Sequence, residues 1–375
     1  MNRIVYIDYL RNIANISRCF IHASIPYMLT KSPIWPVNDS GLWFFDFAVF
    51  EIHLFVMELF FAIAGFMFAM ELSSKTTSKI IIGKLKKIVL PLIVGLIILI
   101  PFVITLFELP KNNLNSILSY KLVLESYVSA WNFCLDNFFP TAHLWFLYYL
   151  IYYYTASYII KNILIKSSYF SLNTLLLIFV LISSLCMMNM ERYVIETPLS
   201  LLPNFLSMIH YFLFFLIGFI IYSNKKIVSE LNIQFNVYFK LGIIFALLAI
   251  LPQLLFSILE FSKSFFFSFT SSFITCSASY LFVLSIWGYF KHKNFKRSKA
   301  IRYLTDSSYW VYLINMPIVA VFQLLLYSVD IPIIFKFLIS FSGALIMSII
   351  SYEYFVRYTF IGSILSKRKS RNSIK

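Results

Sequence analysis

The sequence has few charged residues. Asp, Glu, Lys and Arg make up 13% of its 375 residues, whereas 60% of the chain is hydrophobic and its mean hydropathy is +0.82. Ordinary soluble domains are about 25% charged, and a soluble fold could not hide this much apolar surface. The composition also excludes a disordered chain, a collagen and a disulfide scaffold. It favours a polytopic membrane protein.

Cysteine and glycine are also scarce. The four cysteines, Cys19, Cys134, Cys186 and Cys276, are scattered without a C-x-x-C or other metal-ligand spacing, so we interpret them as small packing residues and predict no metal site. The 9 glycines form no matching Gly/Pro interruptions in the two halves of the chain. Such paired interruptions are typical of transporters built from internal repeats.

Apolar stretches of about 20 residues, long enough to cross a bilayer, recur along the whole chain. They predict an all-α membrane bundle of about ten transmembrane helices, forming a single domain over residues 1–375 with no separate soluble domain. The first stretch lacks the small-residue cleavage site of a signal peptide, so we expect it to remain as a span. The connection 108–141 is expected to hold a short interfacial helix. The predicted spans are 7–29, 43–71, 88–107, 142–160, 172–189, 205–223, 240–259, 267–290, 303–327 and 334–360.

Positive charge is distributed unevenly between alternate connections. Of the 31 Lys and Arg residues, 22 fall in the segments on the side of the N-terminus and only 5 in the others. Cytoplasmic loops carry this excess, so we predict a multi-pass protein of the cytoplasmic (inner) membrane with both termini cytoplasmic. The net charge of +15 is then explained by the orientation of the chain in the lipid bilayer, and no nucleic-acid partner is expected.

Five polar residues follow one another along the first span. Asp8, Arg11, Asn15, Arg18 and His22 are spaced by 3, 4, 3 and 4 residues, which places them on one helix face. Charges inside a span cost roughly 2.5–3.5 kcal/mol each on insertion scales, so such residues are functional candidates. The helix rise puts His22 about 16 Å deeper than Arg11. A histidine at mid-membrane can exchange a proton between groups arriving from the two sides, which points to group transfer across the membrane.

Other polar residues in the predicted spans are further candidates for the same site. They are Glu58 in the second span, His143 and Trp145 at the start of the fourth, and Glu353 in the last. The alternative is a buried network that only fixes helix packing, with Asp8 pairing Arg11 and Glu58 neutralising Arg18. Glu353 and Arg357 are four residues apart, so they could equally form a self-contained ion pair.

Six short segments, in the same order, resemble motifs of the membrane acyltransferase-3 family. The last resembles the closing segment of its members that succinylate periplasmic glucans. The segments are Asp8-Tyr-Leu-Arg11 followed by His22, Phe60 to Phe66, Lys84 and Lys87 before Pro91, His143-Leu-Trp145-Phe-Leu147, Ser308-Tyr309 through Tyr312-Leu313 to Pro317, and Tyr352-Glu353 with Arg357.

The chain departs from these motifs at three places. Ala64 replaces the serine of the family's FFxxSGF segment, and Asn315 stands where a histidine usually precedes the proline. Lys84 and Lys87 replace two arginines, which keeps the charge but loses the bidentate grip on phosphate.

The resemblance implies transfer of an acyl group from cytoplasmic acyl-coenzyme A to a hydroxyl of an exported glycan or other extracytoplasmic acceptor. His22 would be the base, Arg11 would meet the donor, and Arg18 would stabilise the oxyanion. Lys84 and Lys87 would hold the coenzyme A phosphates, although both could serve only as positive-inside anchors. Acetyl-CoA or succinyl-CoA is the expected donor substrate, with no permanently bound cofactor.

Two other functions remain open from the sequence. One is a transporter or flippase of a glycan or acyl carrier without catalysis, and the other is a scaffold of glycan synthesis that has lost activity. Glycan-export or glycan-synthesis proteins are the expected protein partners. A succinyl carboxylate would need a cation, for which Arg18 and Arg192 are candidates, but the sequence decides neither the acyl group nor the acceptor.

Overall fold

The fold is that of a computed structural model, which describes residues 4–109, 120–137, 139–166, 171–190, 197–259, 264–293 and 295–365; the side chains of 162–166 and 253–259 lie outside this description. Arg192, proposed above as a carboxylate partner, also lies outside the described residues. Within these ranges the chain is helical and contains no strand, which confirms the all-α membrane fold.

The helices follow the predicted order along the chain. We number them α1 Val5–Ser24, α2 Trp43–His53, α3 Val56–Leu72, α4 Thr77–Glu108, α5 Tyr120–Asp136, α6 Trp145–Lys166, α7 Leu172–Met187, α8 Phe205–Ser223, α9 Lys225–Leu259, α10 Phe265–His292, α11 Lys299–Tyr327, α12 Ile333–Ser351 and α13 Phe360–Leu365. Each predicted span overlaps one main helix, except that the second is divided between α2 and α3; the last also includes the turn after α12 and reaches the first residue of α13.

Seven helical segments in the described part of the chain are long and apolar enough to cross a membrane. These are α2 with α3, α4, α8, α9, α10, α11, and α12 with the turn that follows it. Helix α1 has sufficient length, 20 residues, but it carries the charged residues of the polar row, and α7 has only 16 residues. The count of ten spans therefore stays a prediction.

Two predicted boundaries are wrong. Helix α4 begins at Thr77 and not at 88, so Lys84 and Lys87 lie inside a helix and not in a connection. Helix α9 begins at Lys225 and not at 240. An apolar run marks only the hydrocarbon depth of a helix, whereas lysine is a good helix former that prolongs it beyond the bilayer core. The helix expected between 108 and 141 is present as α5.

Helix α4 contains two wide turns, each ending just before a proline. Residues Leu85–Val89 and Gly95–Leu99 form π-turns, and Pro91 and Pro101 follow them. A proline lacks the N–H that would bond the carbonyl four residues earlier, and its ring clashes with that carbonyl. Widening the preceding turn relieves the clash, so the two prolines account for the geometry of α4.

Helices α1 and α11 run side by side in the same direction. Arg11, near the start of α1, bonds Ser308, and the carbonyls of His22 and Ala23, near its end, bond Gln323. Helix α1 also packs against α3, where the ring centres of Tyr6 and Phe66 are 6.2 Å apart. The polar row is therefore enclosed between α1 and α11 inside the bundle.

Helices α3 and α8 approach each other at backbone distance. A Cβ atom built on Gly65 would overlap the carbonyl oxygen of Phe215, and one built on Gly218 would overlap that of Ala62. Small residues permit this kind of contact between membrane helices. The close packing of α3 on α8 therefore requires glycine at position 65 of the Phe60 to Phe66 segment, and this requirement does not depend on the preceding residue, Ala64.

We expect Gly65→Val to lower the melting temperature of the purified protein in detergent. The added side chain must separate α3 from α8, and overpacking of a close contact costs about 1–3 kcal/mol or more. Gly83→Val is the matched control, because a Cβ on Gly83 meets no described atom within 4 Å. Equal melting temperatures for the two variants would contradict the close packing of α3 on α8.

Candidate active site

The polar row of α1 contacts α11 through the side chains of Arg11 and Arg18 and through the backbone carbonyls of Asp8 and His22. Arg11 Nη2 donates to Ser308 Oγ at 3.3 Å, and Thr305 Oγ1 donates to the carbonyl of Asp8 at 3.3 Å. Asp8, Asn15 and Arg18 are buried, so the row does not face lipid. The face predicted from the spacing is the face that contacts α11.

Arg18 carries a buried positive charge and is only 4% exposed. Its Nη2 donates to Asn15 Oδ1 at 3.2 Å and to the Val311 carbonyl at 3.4 Å, and its guanidinium carbon lies 5.1 Å from the centre of the Tyr312 ring. Its Nε and Nη1 are buried and have no hydrogen-bond partner. No carboxylate of the described chain forms an ion pair with it.

His22 is half-buried, one turn beyond Arg18 on the same face. Its Nδ1 is buried without a hydrogen-bond partner, and its ring centre lies 5.9 Å from that of Trp35. Arg18, His143 and His53 are close enough to interact with it electrostatically. The structure therefore groups two of the predicted catalytic residues, Arg18 and His22, with the predicted polar residue His143.

A proline frees the backbone carbonyl of His22. Pro26 has no N–H to bond the carbonyl four residues earlier. Gln323 of α11 takes its place: Nε2 donates to the carbonyls of His22 at 3.1 Å and Ala23 at 3.3 Å, while Oε1 accepts from Trp35 Nε1 at 2.8 Å. The end of α1 that carries His22 is thus fixed to α11 and to the segment that follows α1.

His143 is held by a second freed carbonyl. Pro317 leaves the carbonyl of Leu313 without its helical donor, and His143 Nε2 lies 2.8 Å from that oxygen. A carbonyl only accepts, so Nε2 carries the proton and Nδ1 is left as an acceptor. That Nδ1 is buried and has no partner. The hydroxyl of Tyr312 donates to the His143 carbonyl at 2.6 Å, which fixes the residue from both ends.

Lys87 lies at a third freed carbonyl. Pro91 cannot donate to the Lys87 oxygen, which accepts from the Tyr309 hydroxyl at 2.6 Å. Because Tyr309 adjoins Ser308, this contact brings the π-turn of α4 next to the part of α11 that holds Arg11.

Lys84 does not join the polar row. Its ammonium group bonds Glu71 at 2.8 Å and lies 3.8 Å from the centre of the Tyr154 ring. Glu71 also bonds Lys75, so one carboxylate serves two lysines and a net positive charge remains. Lys84 lines a cavity of about 290 Å³ between α4 and α6, together with Tyr154, Tyr158 and several isoleucines.

Glu58 does not neutralise Arg18, as the packing alternative required. Its Oε1 lies 3.5 Å from Nε2 of His210 on α8, and both residues are buried. The neighbouring Met57 belongs to the cluster against Ile21 of α1. Successive residues of a helix are about 100° apart, which directs Glu58 to another helix.

Two further predicted residues lie elsewhere in the bundle. Trp145 is buried against Phe61 and Tyr211, with ring centres 5.7 and 5.1 Å away. Arg357 Nη1 donates to both oxygens of Glu353, at 2.6 and 2.7 Å, and the Tyr303 hydroxyl donates to Glu353 Oε2 at 2.9 Å. The described contacts of Glu353 are those of a self-contained ion pair.

Asn315 also belongs to the candidate site, although the sequence analysis noted it only as a departure from the family motif. It is wholly buried, and neither its Oδ1 nor its Nδ2 has a hydrogen-bond partner. It follows Val311, whose carbonyl bonds Arg18, by one helical turn. An uncharged polar residue inside an apolar span was the available signal for both Asn315 and Gln323. Trp35 gave no such signal.

The segment between α1 and α2 covers the end of α1 at which His22 lies. Lys336 Nζ of α12 donates to Asp39 Oδ2 at 2.7 Å, and Asp46 accepts from the backbone N–H groups of Leu29 and Thr30. Burial alone would raise the pKa of Asp39, but the hydrogen bonds from Lys336 and the Ser40 N–H outweigh it and lower the pKa.

Comparison with known families matches one family model, described as an acyltransferase domain, to residues 4–353, nearly the whole chain. The chain belongs to the acyltransferase-3 family. Comparisons with curated proteins and with solved structures found no match. Together with the apolar helices, membership in the acyltransferase-3 family makes this protein a membrane acyltransferase, and a transporter without catalysis is not favoured. In the described part of this acyltransferase, no three His, Cys, Asp or Glu side chains converge as metal ligands do.

We expect Pro317→Ala to release His143 from α11 of the acyltransferase without unfolding it. The alanine N–H would bond the Leu313 carbonyl within the helix and displace His143 Nε2. NMR of isotope-labelled histidine should then show one ring losing its fixed Nε2-protonated form, while the melting temperature stays equal or rises. Pro252→Ala in α9 is the control. An unchanged histidine spectrum in Pro317→Ala would contradict the role assigned to the freed carbonyl.

Proposed function

We propose that this acyltransferase transfers an acyl group from cytoplasmic acyl-coenzyme A to a hydroxyl of an exported glycan, with His22 as the general base. The observation that carries the proposal is the position of His22. A half-buried imidazole with an unpartnered nitrogen follows a buried arginine on one face of α1. The spacing puts it about 16 Å beyond Arg11, which suits a base that meets two substrates arriving from opposite sides.

The reaction balances with His22 as carrier of one proton. The imidazole takes the proton of the acceptor hydroxyl while the hydroxyl oxygen attacks the thioester carbon. The tetrahedral intermediate then expels the thiolate of coenzyme A as the carbon–sulfur bond breaks. The imidazolium returns its proton to the thiolate, so the products are an oxygen ester and free coenzyme A thiol.

The oxyanion of the intermediate requires hydrogen-bond donors. Arg18 is one turn from His22, and its Nε and Nη1 have no other acceptor among the described residues. Donors that are already oriented and shielded from water stabilise developing charge most strongly. This arrangement supports Arg18 as the electrostatic stabiliser of the transition state.

Arg11, Lys84 and Lys87 are proposed to bind the donor at the other end of the row. The Tyr309 hydroxyl at the Lys87 carbonyl and the Ser308 hydroxyl at Arg11 bring α4 and α1 to adjacent residues of α11. Lys84 lines the cavity between α4 and α6 and shares Glu71 with Lys75. A cluster of lysines of this kind suits the phosphates of coenzyme A, which a point charge can hold.

A glycan is proposed as the acceptor on the basis of resemblance. Tyr352-Glu353 with Arg357 resembles the closing segment of family members that succinylate periplasmic glucans. In this chain Tyr303 donates a hydrogen bond to the Glu353–Arg357 ion pair, and none of the three residues is among the described neighbours of His22. The pair therefore supports the resemblance to those family members and does not support a catalytic role.

We expect His22→Ala to lower acyl transfer by about 10²–10⁴-fold, because a positioned general base contributes about that much. Arg11→Ala should have a similar effect, because Arg11 is proposed to orient the donor. The measurement is incorporation of radiolabelled acyl groups from acyl-CoA into glycans by membranes that contain equal amounts of each variant. Ile16→Ala, on the exposed side of the same helix, is the matched control. Wild-type transfer by His22→Ala would refute His22 as the base.

We expect Lys84→Ala to raise the KM for acyl-CoA by about 10-fold, since a hydrogen bond to a charged group contributes about 1.5–3 kcal/mol. The KM for the acceptor should change little. Lys79→Ala removes an exposed lysine from the same helix and serves as the control. Equal KM values for acyl-CoA in the two variants would reduce Lys84 to a structural partner of Glu71.

A further inference from the structure

Arg18 differs from three other cations held in the membrane helices. Lys336 meets Asp39 at 2.7 Å, Lys84 meets Glu71 at 2.8 Å, and Arg357 meets Glu353 at 2.6 Å. Arg18 is buried and meets no carboxylate in the ranges that the structure describes. A buried charge is retained only when it is paired, because desolvation is otherwise uncompensated.

The internal contacts of Arg18 do not replace a counter-ion. Its Nη2 is shared between Asn15 and the Val311 carbonyl, and the Tyr312 ring contributes a cation–π contact. Nε and Nη1 remain without acceptors. The oxyanion proposed above develops only during the reaction, so it cannot neutralise Arg18 in the substrate complex. A substrate that brings a permanent negative charge would do so.

Asn315 adds unpartnered polar atoms on the facing helix. Both atoms of its amide are buried without partners. It lies between Ser308, which bonds Arg11, and Gln323, which bonds the His22 carbonyl, and therefore faces the stretch of α1 that includes Arg18. A guanidinium and an amide N–H from two facing helices form a donor set that suits a carboxylate.

We propose that Arg18 and Asn315 bind a carboxylate carried by a substrate, and that this carboxylate belongs to a dicarboxylic acyl group. The inference rests on the proposed function. The spacing places Arg18 about 10 Å beyond Arg11 and one turn before His22. A four-carbon dicarboxylic acyl group attached at the thioester near His22 extends far enough to reach a neighbouring turn. An acetyl group has no charge to offer.

The assignment is tested by measuring the binding of acyl-CoA donors to a variant that cannot transfer the acyl group. In a His22→Ala background, the affinities for succinyl-CoA, acetyl-CoA and free coenzyme A are measured by calorimetry in detergent. We expect succinyl-CoA to bind about 10-fold or more tightly than acetyl-CoA, since charge-assisted hydrogen bonds are the strong ones. Adding Arg18→Gln should bring the ratio of the succinyl-CoA affinity to the acetyl-CoA affinity close to one.

Two further variants guard against an indirect effect. Asn315→Leu preserves side-chain volume and removes two unpartnered atoms, so it should fold at least as well and reduce succinyl-CoA binding severalfold. Arg302→Gln removes an exposed arginine from α11 and should leave the ratio unchanged. Loss of the ratio in Arg302→Gln would overturn the assignment to Arg18.

The remaining outcomes separate the sources of the charge. One outcome is that succinyl-CoA and acetyl-CoA bind equally, while glucuronate binds better than glucose and loses this advantage in Arg18→Gln. That result would support the carboxylate site but would assign the carboxylate to the acceptor and overturn its assignment to the acyl group. Equal binding of all three coenzyme A ligands without a glucuronate preference would overturn the proposal. If no coenzyme A ligand binds, the donor assignment of the proposed function fails, and the glucuronate comparison still decides the site.

Discussion

The site depends on carbonyl groups that prolines release inside the bundle. A backbone carbonyl in hydrocarbon must find a donor, and a proline removes the one that the helix would supply. Pro26, Pro91 and Pro317 each leave such a carbonyl, and side chains of other segments occupy them. Each resulting hydrogen bond has α11 as one of its two partners.

This arrangement explains why one stretch of α11 contacts so much of the site. Between Ser308 and Gln323 the helix meets Arg11, Arg18 and the backbone of His22 on α1, and His143 ahead of α6. Several of these hydrogen bonds join different helices: Arg11 of α1 bonds Ser308 of α11, and Arg18 of α1 bonds the Val311 carbonyl of α11. Since an unsatisfied polar group is costly in a membrane, each contact fixes the position of a side chain as well as stabilising the packing.

The sequence predicted those features that repeat along one helix. The 3-and-4 spacing placed Asp8, Arg11 and Arg18 on one face of α1, and the structure turns that face to α11. Contacts between distant residues could not be read in this way: Trp35 and Gln323 are 288 positions apart, and nothing in the spacing joins them. The pairing of Glu58 with Arg18 in the packing alternative is wrong for the same reason: Glu58 lies against His210 of α8, since a shift of one residue along α3 changes the helix that a side chain meets.

The π-turns of α4 change what its motif means. A turn closed over five residues contains more of the chain than an α-turn, so side chains after it are displaced around the helix axis. At the first π-turn, the ammonium group of Lys84 contacts Tyr154 of α6, and the backbone carbonyl of Lys87 accepts a hydrogen bond from Tyr309 of α11. The motif ending in Pro91 therefore encodes a junction between two interfaces, and α4 connects the lysine-lined cavity to the helix that holds the polar row.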